Sequence, residues 1–297
     1  QLLSEPRRLI VTILIGNEFV NVAASVISAA MVIQVLGAEN KFLNLFIMVP
    51  ILLLVVATVP VLPVSAAGPG KAAIASAHPM ATAAGHEILA RGGNAFDAAV
   101  AVSAALSVVE PYSSGLGGGG FWLLHRAEDA HSVMVDGREV APAAATADMY
   151  LDARGEPIPR ASLDGPLAAG IPGLPAGLVH LAEHYGRLPL AESIAPAIRL
   201  ARDGFPLYDR MHLGLKYKQK LIQRWAAGAG IFLVDGELPE IGHVIRQPAL
   251  AETLQRLADQ GRDGFYAGQL AADMVEEVRA AGGIWALEDL ARYSVKE

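Results

Sequence analysis

The sequence predicts an α+β fold for residues 74–297, preceded by a two-helix transmembrane segment in residues 1–67. Long apolar runs fill residues 9–36 and 43–64, and each exceeds the roughly 20 residues that a helix needs to cross a bilayer. Farther along the chain, helical periodicity alternates with a β-hairpin pattern. The small residues of 68–73 separate the two parts and predict a linker.

Composition excludes several classes of protein. The chain has 297 residues, a formal net charge of -7, 53% hydrophobic residues and no cysteine. This hydrophobicity argues against disorder, and the acidic balance argues against a nucleic-acid partner. Without cysteine there is no disulfide, no catalytic thiol and no thiolate metal site. Basic and acidic residues balance in residues 1–70, so the net charge lies in residues 71–297.

Two interpretations of the N-terminal part remain open. A short polar link at residues 37–41 predicts a helical hairpin, and Arg7 and Arg8 favour a cytoplasmic N-terminus. Two complete spans would then return the chain to the cytoplasm. Alternatively, residues 45–62 are the apolar part of a signal peptide with a small-residue cleavage site at 64–66. In both cases we expect a membrane-associated protein, and the second places its domain in the periplasm or outside the cell.

Polar residues inside the first apolar run suggest a second function. Asn17 and Glu18 lie there, and a carboxylate in hydrocarbon is a functional candidate. Residues 2–54 resemble part of the transmembrane domain of CNNM/CorC-type magnesium transporters. After the run that corresponds to residues 49–54, that family has a Gly-Glu and then a Pro-Lys. Residues 55–60 of this chain stand at that place and contain no glutamate. Because an ion site needs several oxygen ligands, we expect a membrane anchor, with a metal-ion transporter fragment as the alternative.

Local patterns predict the elements of the second part. Asn94 and Asp97 form a capping-box pattern ahead of a buried helix at Ala95–Val109. Strands at residues 121–125 and 132–135 form a hairpin. Further helices are predicted at residues 82–91, 174–185, 190–202, 248–259 and 270–281.

A glycine-rich run joins the buried helix to the hairpin. Gly115, Gly117 and Gly120 match G-x-G-x-x-G, but a helix precedes them and a strand follows. The dinucleotide fingerprint needs the reverse order, so we expect no nucleotide cofactor. The glycines indicate close backbone approach and positive φ. The run either packs under a sheet or lines a substrate site through Gly117, Gly118, Gly119 and Gly120.

Ordered motifs from about residue 74 to the last residue resemble the γ-glutamyltranspeptidase family. They include Asp136-Gly137-Arg138-Glu139 and Gly170-Ile171-Pro172-Gly173. The others lie at residues 78–82, 91–100, 113–121, 200–205 and 264–268.

The resemblance implies an αββα N-terminal-nucleophile hydrolase sandwich built from two chains of one precursor. The small chain opens with a threonine, whose own α-amino group can serve as its base. Donors must also stabilise the oxyanion of the tetrahedral intermediate. The family cleaves the γ-glutamyl amide of glutathione and related compounds and passes the glutamyl group to an amino acid, a dipeptide or water. The resemblance implies no cofactor.

Arg138 matches the family's glutamate-binding arginine. A guanidinium suits this role because its planar fork binds both oxygens of a carboxylate. Glu139 either orients Arg138 or is an ordinary surface acid. His78, His86 and His125 lack the spacing of metal ligands, so we expect no metal, and Arg202-Asp203 is expected to stabilise a helix end.

The family's Thr-Thr-His-like segment is not found in the 297 residues. None of the threonines has that context: Thr12, Thr58, Thr82, Thr146 and Thr253. We therefore expect a truncated large chain, an incomplete sandwich with exposed apolar surface, a missing small chain as partner, and no activity from these residues alone. A non-catalytic glutamyl-binding protein is the remaining alternative.

Overall fold

The computed structural model describes residues 72–297, which belong to one compact unit that begins at Lys71. The two predicted spans, the alternative signal peptide and the first part of the linker lie outside the described residues. Within 72–297, no helix is both long enough and apolar enough to cross a membrane. The domain boundaries therefore stay predictions.

The described residues form a mixed α and β domain, as the sequence predicts. The strands are β1 (Gly120–Arg126), β2 (His131–Gly137), β3 (Phe205–Pro206) and β4 (Val244–Ile245). The helices are α1 (Pro79–Ala90), α2 (Ala95–Val109), α3 (Leu174–His184), α4 (Leu190–Asp203), α5 (Asp209–Ile222), α6 (Ala226–Phe232), α7 (Pro248–Gln260), α8 (Asp263–Tyr266), α9 (Gly268–Ala280) and α10 (Leu287–Arg292), with a short 3-10 helix at Pro166–Ala168.

Helix α1 begins three residues before its predicted start. His78 is its N-cap, and the imidazole Nδ1 accepts a hydrogen bond from the backbone N–H of Met80. Pro79 occupies the first helical position, where its fixed φ suits the helix and its missing N–H costs nothing. Histidine is not among the usual N-cap residues, so the sequence pattern placed the start too late.

The capping box that begins α2 is confirmed. The side-chain oxygen of Asn94 accepts from the N–H groups of Phe96 and Asp97, and the Asp97 carboxylate accepts from the Asn94 N–H at 2.8 Å. The same carboxylate also accepts from the N–H groups of Arg187 and Leu188, at 3.0 and 3.3 Å. Asp97 is fully buried and thus joins the start of α2 to the turn between α3 and α4.

Replacing Asp97 by alanine is expected to lower the free energy of unfolding by about 3 kcal/mol or more, because three backbone N–H groups lose their acceptor. Urea denaturation measures the loss. Asp129→Ala is the matched control, since that carboxylate is exposed and paired with Arg126, and its removal should cost much less. Equal losses in the two variants would contradict the assigned role.

Helix α2 is the centre of the core. Most of its small apolar side chains are buried, and α1, α3 and α4 pack around it, with α7 against α4. Alanine at most of these positions lets the helices approach closely. The fully buried residues of α2 include Val100, Ala101, Ala104, Ala105, Val108 and Val109.

The hairpin of β1 and β2 is antiparallel and covers one side of the helices. Leu124 and Val135 are buried on its inner face. The ring of Trp122 lies against Gly177 of α3, where a Cβ would collide with it, and its Nε1 donates to Ser103 of α2 at 3.3 Å. The indole thus joins the hairpin to both helices.

The outer face of the hairpin carries an exposed apolar patch. Leu123 and Met134 are register partners on this face, and 75% and 48% of their surfaces are exposed. Phe121, two residues before Leu123, is 58% exposed. Among the described residues no second sheet covers this face, which agrees with the expected exposure of apolar surface.

Four of the later helices match the prediction apart from their ends, whereas α5, α6, α8 and α10 were not predicted. Helices α3, α4, α7 and α9 lie within two residues of the predicted ranges. Helix α4 continues through a buried proline, Pro196. Helix α5 was not predicted, because Met211 and Leu215 are its only buried residues. Two buried residues among many charged ones give little apolar periodicity.

Candidate functional site

Arg138 directly follows β2, and its backbone is fixed on both sides. Its N–H donates to Asp136 Oδ1 at 2.9 Å. Its carbonyl oxygen accepts from the hydroxyl of Tyr293 at 2.7 Å. The neighbouring backbone is fixed as well, since Asp136 forms an antiparallel bridge with Lys296. The main chain at Arg138 is therefore held by side chains and by a strand-like segment from the end of the chain.

The glycine-rich run lies directly against this backbone. A Cβ at Gly119 would collide with the Gly137 carbonyl and would lie 2.9 Å from both the Cα of Arg138 and the N of Glu139. Close backbone approach is confirmed at Gly119. Positive φ is not, because no glycine from 115 to 120 has it. Gly119 is therefore glycine because a Cβ has no space there, and none of the glycines in this run is required by a left-handed backbone.

The start of α3 completes the backbone cluster. The Gly118 carbonyl accepts from the N–H groups of Gly173 and Leu174, each at 2.9 Å. Gly173 has no room for a Cβ, which would collide with the Gly137 carbonyl and the Tyr293 hydroxyl. Residues from three distant parts of the chain therefore meet at the backbone of residues 137–139.

The guanidinium of Arg138, in contrast, is accessible. Its side chain is 60% exposed. The Nε lies 3.3 Å from Glu139 Oε2, and the Cζ lies 5.9 Å from the centre of the Phe121 ring. A fixed main chain with an accessible guanidinium is suited to binding a carboxylate, because the two-point fork is already positioned.

Glu139 lies between Arg138 and the glycines. Its Oε2 is buried and makes no hydrogen bond, so the nearby guanidinium is its charged contact. Its Oε1 lies 3.4 Å from where a Cβ of Gly118 would be, and Gly170 lies against its Cβ. The carboxylate thus faces both the glycine run and Arg138.

Burial and, to a smaller extent, the nearby carboxylates of Asp136 and Glu139 raise the pKa of Tyr293 to about 12. The hydroxyl therefore stays protonated across the neutral range and remains a donor to the Arg138 carbonyl.

Other predicted polar residues lie away from this cluster. His78 caps α1, His86 is exposed, and His125 pairs with Ser132 on the hairpin. Arg202 and Asp203 form an exposed ion pair at the end of α4, as expected for a helix end. In residues 72–297 no three histidine, aspartate or glutamate side chains are grouped as metal ligands.

Two of the three threonines in the described residues make local hydrogen bonds. Thr82 lies in α1 and its hydroxyl pairs with Ser76, while the Thr253 hydroxyl donates to the Ala249 carbonyl within α7. The residues that sequence reasoning missed are Tyr293 and Asp136 as partners of the Arg138 backbone. Asp136 was visible as a strand-end aspartate two residues before Arg138, whereas nothing in the sequence links Tyr293 to Arg138.

Comparison with known families gives the site its context. The family model described as gamma-glutamyltranspeptidase matches residues 81–297. The chain belongs to the γ-glutamyltranspeptidase family. The model of the cyclin M transmembrane N-terminal domain matches residues 1–84, which confirms the second resemblance.

Relatives within the γ-glutamyltranspeptidase family include glutathione hydrolases. The chain is 41% identical to the glutathione hydrolase proenzyme of Escherichia coli (strain K12), over 75% of this chain and 39% of that protein. It is 37% identical to the proenzyme of Bacillus subtilis (strain 168), over 75% and 38%. The chain thus spans about two fifths of the length of these relatives.

Solved γ-glutamyltranspeptidase structures resemble the described residues. The Helicobacter pylori γ-glutamyltranspeptidase has a TM-score of 0.74 and 39% identity, covering 77% of this chain and 66% of that one. The Pseudomonas nitroreducens enzyme complexed with L-DON has a TM-score of 0.71 and 37% identity, covering 76% and 65%. The predicted N-terminal-nucleophile hydrolase fold is therefore supported by close structural neighbours.

Proposed function

We propose that residues 72–297 bind the γ-glutamyl group of glutathione and related compounds, for hydrolysis or transfer in a site shared by two chains. The observation that carries this proposal is the geometry at Arg138. Its main chain is held by Asp136 and Tyr293, while its guanidinium is accessible beside the glycine run. Membership of the γ-glutamyltranspeptidase family supports the reaction class.

Each residue of the cluster has a part in this proposal. Arg138 binds the α-carboxylate of the glutamyl group through two charge-assisted hydrogen bonds. Glu139 orients the guanidinium through the contact at Nε. Gly117, Gly118, Gly119 and Gly120 line the site, and the absence of side chains lets the glutamyl group approach the backbone.

The nucleophile is proposed to come from a small chain that the 297 residues do not include. Its threonine hydroxyl attacks the γ-carbonyl carbon while the α-amino group of that threonine takes the proton. Collapse of the tetrahedral intermediate, with the α-ammonium group returning that proton to the leaving nitrogen, releases the amine and leaves a γ-glutamyl ester on the threonine. An amino acid, a dipeptide or water then accepts the glutamyl group. Residues 72–297 hold the glutamyl carboxylate throughout, and we expect no activity from them alone.

The exposed face of the hairpin is the proposed contact for that small chain. Phe121, Leu123 and Met134 form an apolar surface beside Arg138, and a second sheet would cover it in an αββα sandwich. Covering this face would also exclude water next to the guanidinium, which strengthens its interaction with a carboxylate.

Co-production with a γ-glutamyltranspeptidase small chain tests the proposal. We expect cleavage of a γ-glutamyl anilide by the purified complex and none by either chain alone. A folded, soluble complex that does not cleave the anilide would contradict the proposed activity. Cleavage by the 297-residue chain alone would contradict the assignment of the nucleophile to a second chain.

For the N-terminal part we propose a membrane anchor, with the attached domain in the periplasm or outside the cell; two complete spans would instead place that domain in the cytoplasm. The two apolar runs and the cyclin M match at residues 1–84 support it. The same match favours the metal-ion transporter alternative, which depends on residues outside the described part. Magnesium flux in liposomes separates the two, and we expect no flux.

For the non-catalytic alternative, calorimetry with glutamate should show little binding by half a site.

A further inference from the structure

Residues 293–296 contact the backbone at Asp136 and Arg138. Lys296 exchanges two backbone hydrogen bonds with Asp136, at 2.7 and 3.0 Å. Tyr293 comes three residues earlier, and its hydroxyl donates to the Arg138 carbonyl at 2.7 Å across 155 residues of sequence. The segment therefore contacts the backbone of the binding arginine.

Tyr293 is itself held rigidly. Its ring stacks on the ring of Tyr266 with centroids 5.6 Å apart and an angle of 5° between the planes. The guanidinium carbon of Arg262 lies 4.9 Å from the centre of the Tyr266 ring. The same guanidinium donates hydrogen bonds to the carbonyls of Leu290, Ala291 and Tyr293. Tyr293 is 4% exposed. Stacking on Tyr266 therefore fixes the ring of Tyr293, and the three hydrogen bonds from Arg262 fix the backbone of residues 290–293.

The Tyr293 hydroxyl is closely surrounded by backbone atoms. Gly173 lies so close that a Cβ there would collide with both the Tyr293 hydroxyl and the Gly137 carbonyl. A carbonyl that accepts a hydrogen bond from a fixed donor cannot rotate freely, so the peptide plane between Arg138 and Glu139 has one orientation. That plane sets the directions of both side chains.

We infer that Tyr293 is a positioning residue, which holds the 138–139 peptide so that the Arg138 guanidinium faces the glutamyl carboxylate. The inference rests on the proposed function, and it adds a residue that does not touch the substrate. A purely structural hydrogen bond would stabilise the fold without affecting affinity. A positioning residue changes affinity as well, because a small displacement of a binding group weakens both of its hydrogen bonds.

Tyr293→Phe in the two-chain complex is the test, because it removes the hydroxyl and keeps the stacked ring. We expect the KM for the γ-glutamyl donor to rise about tenfold and the kcat at saturating donor to fall less than about threefold. Tyr150→Phe is the matched control, since the Tyr150 hydroxyl also donates to a backbone carbonyl, that of Leu167, at 3.1 Å. It should lower the Tm by a similar amount and leave the KM unchanged.

The outcomes separate this inference from the function on which it rests. An inactive wild-type complex contradicts the proposed function, whereas an active complex with equal KM for wild type and Tyr293→Phe overturns only the positioning role. A crystal structure of the Tyr293→Phe chain decides the role without activity. We expect the 138–139 peptide to have rotated or to adopt several orientations, and an unmoved, well-ordered peptide overturns the inference.

Discussion

Arg138→Ala raises the KM for a γ-glutamyl donor by at least about a hundredfold in the two-chain complex. In the proposed site the guanidinium supplies two charge-assisted hydrogen bonds to the glutamyl carboxylate. Losing them should cost about 3 kcal/mol or more, and each 1.4 kcal/mol corresponds to a factor of ten in affinity. Arg138→Lys keeps the charge and loses the planar fork, so an intermediate rise in KM is expected. Steady-state kinetics over a range of donor concentrations measures both variants.

Arg126→Ala is the control for this result. Arg126 lies on the same hairpin, is partly exposed and pairs with Asp129 at the hairpin turn. Its removal should leave the KM within about twofold, because exposed ion pairs contribute little. If the wild-type complex is active, an unchanged KM for Arg138→Ala would remove Arg138 from the binding site.

Gly119→Ala is expected to lower the free energy of unfolding by about 3 kcal/mol. The added Cβ would meet the Gly137 carbonyl, the Arg138 Cα and the Glu139 N, and all three are backbone atoms that cannot turn away as a side chain can. Overpacking of this kind costs about 1 to 3 kcal/mol, and here it also displaces the binding arginine. Urea denaturation and donor KM should therefore both change.

Gly117→Ala is the matched control in the same run. A Cβ at Gly117 has no neighbour within 4 Å, and the residue does not have positive φ. We expect a change in unfolding free energy of less than about 0.5 kcal/mol. If Gly117→Ala and Gly119→Ala were equally stable, the close approach at Gly119 would not be the reason for its glycine.

Features that depend on neighbouring residues could be predicted from the sequence. The capping box of Asn94 and Asp97 involves residues three apart, and the hairpin follows from a turn between two short apolar runs. Both signals are local, so they can be recognised without knowledge of the fold. Arg138 itself was assigned through the family motif, and the structure adds the reason why its guanidinium is accessible while its backbone is fixed.

Features that depend on distant contacts could not be predicted. The hydrogen bond between Tyr293 and Arg138 joins residues 155 apart, and the full set of Asp97 partners includes two amides some 90 residues away. The glycine run shows a subtler limit. Glycine is used both for positive φ and for lack of a Cβ, and composition does not distinguish these uses. Only the packing against Gly137 shows which one applies at Gly119.

The structure of the two-chain complex with bound glutamate tests the central claim most directly. The account predicts that the α-carboxylate of glutamate lies within hydrogen-bond distance of two guanidinium nitrogens of Arg138, next to the glycine run and under the chain that covers Leu123 and Met134. Glutamate bound elsewhere on the complex, with the Arg138 guanidinium still facing solvent, would contradict it.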